Sequence, residues 1–406
     1  MKITLFKNGV LLLSLLTIGL LSCSKTTNRE IIKFTKEWKF ILADNESFKN
    51  PGFDDSGWRI LTVPHDWSIE GEFSQENPAS PGGGALPGGI GWYRKSFSLP
   101  DSDKDKLVFI SFDGVYQKSE VWINGDFVGM RPYGYSSFQY DVTPFLKYGS
   151  EGNIIAVKVD NSEQPNSRWY SGSGIYRNVW LIKTGKVFVE NWGTFITTPE
   201  VTNENAMVLV KTSIKNQTGV YATLRFNTTI IDPSGKPVAN AETKVDPWKN
   251  TSEEFIHEIK INNPLLWSLE NPQLYKAITK VYFDGKLSDR YETPFGIRYF
   301  NFDPEMGFSL NGEHVKILGV CQHHDLGCLG SAINIRALER QLEILKTMGC
   351  NSIRMSHNPP APELLDLCDK MGFIVQDETF DMWRKKKTTY DYSRYFPEWN
   401  ERDLTD

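Results

Sequence analysis

Seven residues near the end of the chain have the types and spacing to share one polar cleft: His323, His324, Arg354, His357, Asp377, Glu378 and Asp381. They close three short apolar runs, in VKILGVCQHHD, NSIRMSH and FIVQDETFD. Imidazole both donates to and accepts from hydroxyls, so three histidines at adjacent strand ends point to a hydroxyl-bearing ligand. Asp377 and Glu378 could act as acid and base, as ligands for sugar hydroxyls, or as the anchor of an ion pair. Successive strand residues point to opposite faces, which favours the ion pair, with Arg354 as its partner. A zinc site is not expected, since no HExxH is present and the neighbouring groups are Asp and Asn. The turn His357-Asn358-Pro359-Pro360 also reads simply as a turn that launches a helix.

Helical patterns lie between the three runs. The first begins near Asn334, a cap, and carries Ile335, Leu338, Leu342, Leu345 and Met348 on one stripe before Gly349. The second starts at Pro362 and carries Leu365, Cys368 and Met371 before Gly372. Strand, helix, strand, helix, strand is the opening of a (β/α)₈ barrel, in which residues at the strand C-termini converge on one mouth. A whole barrel takes about 250 residues. Here the chain stops at Asp406, so residues 298–406 are expected to form only the first three βα units. Their uncovered strand edges are expected to make this the least stable part.

Ahead of that segment, residues 30–184 show short alternating runs such as LVFISF, SEVWING and NIIAVKVD, which predict an antiparallel sandwich. The stretch Glu72 to Gly91, with SPGGGALPGGIG, is expected to be a long loop. Residues 185–297, with about seven strand candidates, fit an immunoglobulin-like sandwich. The fold class is thus multidomain and mainly β.

Residues 1–23 read as a signal peptide, with an apolar run too short for a typical membrane span. The run ends in Leu20-Leu21-Ser22-Cys23, which resembles a bacterial lipoprotein cleavage box with Cys23 as the acylated residue. The chain is therefore expected to be exported, to the periplasm or outer membrane, and to touch membrane only through that anchor. Cleavage would remove two lysines and no acid, taking the formal net charge from −5 to −7. That balance argues against a nucleic-acid partner. Cys321, Cys328, Cys350 and Cys368 show no metal-ligand spacing and are expected to be buried free thiols.

Nine motifs then point to one family. PHDWSIEG, LPGGIGWYRKSF, FDGVY with VWING, RPYGY, NSRWYSGSGIYRNVWL, FGIRYF, GVCQHHDLG, RMSHNPPAPELLDLCD and DETFDMW resemble β-galactosidases of glycoside hydrolase family 2, from about residue 36 to the end. The resemblance implies a sugar-binding jelly roll, an immunoglobulin-like sandwich and a catalytic (β/α)₈ barrel. It implies retaining hydrolysis by two glutamates, placed at the ends of the fourth and seventh barrel strands. Neither strand is expected within these residues, so no catalytic residue is expected among them, and by the resemblance Glu378 matches a position that shapes the subsite.

By the same resemblance His323 or His324, Arg354, His357, Asn358, Asp377 and Asp381 would line the sugar pocket. Arg168 and Trp169, or the Glu72 to Gly91 loop, would reach it from the first domain. Magnesium is not expected, because TFDMW lacks the matching Glu and His; no other cofactor is implied. The implied substrate is a β-galactoside or oligosaccharide, and the chain reads as a truncated enzyme, inactive alone. Alternatives are a non-catalytic carbohydrate-binding fragment, a β-glucuronidase or other family 2 specificity, and assembly as a homo-oligomer or with a complementing C-terminal chain.

Overall fold

The computed structural model describes residues 29–406, so the expected signal peptide and Cys23 lie outside the described residues. Ten strands build the first region: β1 (Glu30–Lys33), β2 (Trp38–Leu42), β3 (Arg59–Leu61), β4 (Gly89–Ser98), β5 (Leu107–Phe112), β6 (Ser119–Ile123), β7 (Asp126–Arg131), β8 (Phe138–Asp141), β9 (Gly152–Asn161) and β10 (Val179–Thr184). They form two antiparallel sheets, ordered β1-β10-β5-β8 and β3-β2-β4-β9-β6-β7. Between the sheets lies an apolar core that includes Trp38, Tyr93, Ile110, Phe112, Val121 and Val157. The expected loop is shorter than its glycines suggest, because Gly89, Ile90 and Gly91 pair with Asn161, Asp160 and Val159. Gly91 can belong to a strand because its bare Cα lets Trp67 and Phe40 close over it.

Seven strands follow: β11 (Val187–Val201), β12 (Asn205–Asn216), β13 (Ala222–Ile231), β14 (Pro237–Trp248), β15 (Ser252–Asn262), β16 (Tyr275–Phe283) and β17 (Lys286–Phe295). Their two sheets run β11-β12-β15 and β14-β13-β16-β17. β12 shows why: Ala206, Val208, Val210, Thr212 and Ile214 are buried, and the residues between them are half-exposed. A period of two puts one face on the core and one toward water.

The last region opens with β18 (Phe300–Asp303), β19 (Gly307–Leu310) and β20 (Glu313–His314). Asn311 and Gly312, both at positive φ, make the tight turn between β19 and β20. Then come β21 (Gly319–Gln322), α1 (Ile335–Thr347), β22 (Ser352–Met355), α2 (Pro362–Met371), β23 (Ile374–Gln376) and α3 (Phe396–Thr405). β21, β22 and β23 are parallel neighbours in one sheet, the partial barrel.

Three expectations need correction. The first barrel strand begins at Gly319 and not at Val315, because Asn351 takes Leu318 N–H and Lys316 C=O with its side chain and removes them from the ladder. Both helical stripes are narrower or shifted: Ile335 and Met348 are exposed, while α2 buries Leu364 with Cys368. The four thiols are free, but only Cys368 is buried; Cys321 and Cys328 are exposed and Cys350 is intermediate. Cys321 lies on β21, which has one strand neighbour and leaves its other edge open.

Candidate functional site

Parallel register sets Cys321 beside Arg354 and Arg354 beside Gln376. The residues just beyond these therefore share the strand mouth. Glu378 is ion-paired to Arg354 and accepts a second hydrogen bond from His357 Nδ1 at 3.0 Å. Arg354 also donates to Cys321 Sγ at 3.5 Å and lies 3.3 Å from His357 Nδ1, whose hydrogen is already given to Glu378. Its guanidinium draws the Cys321 thiol below the ordinary range. The ion pair that the sequence pointed to is thus formed, with Arg354 on Oε1 of Glu378 and His357 on Oε2.

Trp169 forms the wall of this mouth. Its ring lies 5.4 Å from those of His323 and His357, which are themselves 5.5 Å apart. The indole is held from behind by donation of Nε1 to Tyr135 Oη at 3.1 Å. Burial, with His357 as a lesser cause, lowers the His323 pKa, so this imidazole is neutral at pH 7 and can accept as well as donate. Asp377 sits at the same mouth, one residue past β23, and is exposed.

Asp381 ties the barrel to the first domain. Its Oδ1 accepts from Arg168 at 2.7 Å and from Lys387 at 2.8 Å, and its Oδ2 is buried without a partner. Arg168 itself is 48% exposed while the Asp381 side chain is 5% exposed. The cationic end of this pair is therefore the one open to solvent.

His324 and Asn358 lie behind the mouth. His324 packs edge-on against Tyr135 and Tyr176 and directs Nε2 at Ser171 O, 3.2 Å away. Burial, helped by nearby Arg177, pushes its pKa down to about 3. Asn358 is buried too, and it lines with His324 and Gln322 a small cavity of about 20 Å³. The Glu72 to Gly88 loop packs lower still, against residues 161–172. Gly84, at φ 93°, lies flat against the Tyr170 ring, where a Cβ would come within 2.8 Å.

Sequence reasoning missed Arg177, Asp66 and Lys387. Arg177 is 2% exposed and donates to four carbonyls: Asp113 and Tyr135 of the first domain, Pro359 and Pro360 of the turn after β22. Asp66 accepts from Ser331 N and Oγ, at 2.9 and 3.0 Å, across the same boundary. No local pattern marks Arg177 or Asp66, since the partners named here are backbone groups or lie more than a hundred residues away; Lys387 pairs with Asp381, six residues earlier, across a loop with no regular period. A wider cleft lies elsewhere, with a volume of about 450 Å³ near Trp267, Arg298 and Asp369. The strand mouth is an open wall of polar groups.

Three family profiles cover most of the chain: "Glycosyl hydrolases family 2, sugar binding domain" at residues 77–185, "Glycosyl hydrolases family 2" at 187–298, and its TIM barrel domain at 305–402. A β-galactosidase of Bacteroides ovatus, BoGH2A, is 54% identical over 385 residues, 95% of this chain and 45% of that protein. A putative β-glucuronidase of Formosa agariphila is 41% identical, over 91% of this chain and 35% of its own length. Among solved structures, a family 2 member from Bacteroides cellulosilyticus superposes with TM-score 0.90 at 39% identity, covering 92% of this chain and 49% of that one. A β-glycosidase from Bacteroides vulgatus gives TM-score 0.87 at 42% identity, with coverage of 93% and 48%. The chain spans half or less of the length of these relatives.

Proposed function

The chain belongs to glycosyl hydrolases family 2, and from that premise we propose that it is the sugar-holding part of an exported, β-galactosidase-like glycosidase. The observation that carries this is the wall of Trp169, His323 and His357 set over the Arg354–Glu378 pair. An aromatic face with fixed donors and acceptors suits a sugar ring, which is apolar on its faces and hydroxylated at its rim. His323, Arg354, His357, Asp377, Asp381, Arg168 and Trp169 would meet the sugar. His324 and Asn358 would support the wall from behind, and Glu378 would orient Arg354 and His357.

Retaining hydrolysis needs a carboxylic acid to protonate the leaving oxygen and a carboxylate to capture the anomeric carbon. Glu378 is committed to Arg354 and His357 on both oxygens, which leaves it unsuited to either role. The described residues contain three barrel strands, and the family resemblance puts the two glutamates on the fourth and seventh. Export and acylation at Cys23 complete the proposal; its support is the N-terminal sequence, and mass spectrometry of the membrane fraction would test it.

Calorimetry with methyl β-galactoside tests the sugar-holding role. Binding is expected, weakened about tenfold or more (about 1.4 kcal/mol) by Trp169→Ala or His357→Ala, with no turnover of a nitrophenyl β-galactoside. No heat with the wild-type chain, or hydrolysis by that chain beyond a mock preparation, would overturn it. The 41% identical relative named as a putative β-glucuronidase supports a second reading, in which methyl β-glucuronide binds more tightly than the galactoside.

A further inference from the structure

Beside the mouth, residues 382–386 form a loop closed at its base by one contact. Lys387 Nζ bonds Asp381 Oδ1 at 2.8 Å and Asp381 O at 2.5 Å. Asp381 in turn holds Arg168, the residue next to the Trp169 wall. The loop is fixed further by Lys387 N and Thr388 N donating to Asp391, and by Tyr390 N donating to Pro165 O at 3.1 Å. On this frame stand Trp383, Arg384, Lys385 and Lys386, all exposed.

None of Arg384, Lys385 and Lys386 takes part in an ion pair among the described residues. Three consecutive cations therefore stand exposed and without an ion-pair partner in a chain of formal net charge −5. Trp383 is 63% exposed, with Phe380 and Phe396 packed on it at 6.3 and 5.7 Å. An indole held on one side and bare on the other is a platform for a flat apolar surface such as a sugar face. Free cations beside such a platform add attraction for an anionic substituent.

We propose that Trp383 with Arg384, Lys385 and Lys386 is a subsite for an acidic glycan, which seats a sulfate- or carboxylate-bearing sugar next to the galactoside held at the mouth. The proposal rests on the mouth binding a sugar as described above. It specifies what lies beyond that sugar: a charged residue of an oligosaccharide in place of a neutral one. Arg168 would mark the boundary between the two, since its guanidinium is fixed by Asp381 yet open to solvent.

The test is calorimetry on the full chain with three galactose-terminated tetrasaccharides: neutral, sulfated and uronic-acid-bearing. The charged ligands are expected to bind about tenfold more tightly than the neutral one at low salt, with the advantage falling as ionic strength rises. Preference for one charged ligand identifies sulfate or carboxylate as the group seated. The triple variant R384Q/K385Q/K386Q is expected to lose that advantage and keep the neutral affinity, while Trp383→Ala weakens neutral and charged ligands alike. Equal affinity for neutral and charged ligands overturns the proposal, as does an advantage that survives the triple variant. Polyphosphate or anionic lipid vesicles binding as tightly as the charged tetrasaccharides would also overturn it, by showing a general polyanion surface. Absence of neutral binding with the charged advantage intact instead counts against the galactoside mouth, so the two failures are distinct.

Discussion

Asp113 lies under the first domain's edge, where it accepts a hydrogen bond from Trp180 Nε1 at 2.7 Å. Burial raises its pKa to about 7, against lowering by Trp180 and Arg177. A carboxyl whose folded pKa exceeds its unfolded value of 3.8 favours folding while protonated and loses that advantage as pH rises toward 7. His324 acts in the opposite sense: with a folded pKa of about 3, it weakens folding as pH falls below about 6.5. Asp113→Asn keeps an acceptor for Trp180 and removes the charge. It is expected to leave stability unchanged at pH 4 and to raise it at pH 8 by a few kcal/mol, on the order of 1.4 per pKa unit. Denaturant melts at the two pH values measure this, and an equal effect at both would show that the site does not titrate as the burial implies.

Helix ends were legible where one residue carries the signal locally. Asn334 caps α1 by accepting from Ala337 N at 3.0 Å, Pro362 opens α2, and Gly372 at φ 70° closes it. Asn334→Ala is expected to cost about 1 kcal/mol and Asn334→Ser close to nothing, read from thermal unfolding of the barrel segment. Elements whose stability comes from distant partners were not legible. α3 reads as a polar tail in FPEWNERDLT, yet Phe396 joins Phe380 and Tyr392 in a cluster that Tyr133 and Tyr135 of the first domain complete. The same distinction runs through the site. His323, Arg354, His357 and Glu378 follow from strand ends in register, so their meeting was predictable. That His324 faces away from the mouth depends on Ser171, Tyr135 and Tyr176, which are more than a hundred residues earlier.

At the scale of the whole molecule, the first domain acts as a scaffold for the barrel segment's mouth. Ile333 N donates to Tyr176 O at 2.9 Å, Tyr133 Oη donates to Thr379 O at 2.6 Å, and Ser331 hangs on Asp66. Arg177 is the central link. Pro359, Pro360 and Pro362 have no N–H, so the turn bearing His357 is rich in acceptors and poor in donors. A single buried guanidinium supplies the carbonyls of Pro359 and Pro360 while holding Asp113 and Tyr135 on its other side. Arg177→Met keeps much of the volume and removes every donor, at a cost of roughly 1–3 kcal/mol for each carbonyl left buried without a partner. Hydrogen–deuterium exchange should then accelerate in the peptide spanning β22 and α2, while β12 in the second sandwich keeps its protection. Arg177→Lys, with the charge but fewer donors, should fall between the two. Uniform acceleration across all three regions would show that the mutation unfolds the chain globally, and no acceleration at β22 and α2 would show that the turn holds itself; either result contradicts a mouth shaped by the first domain.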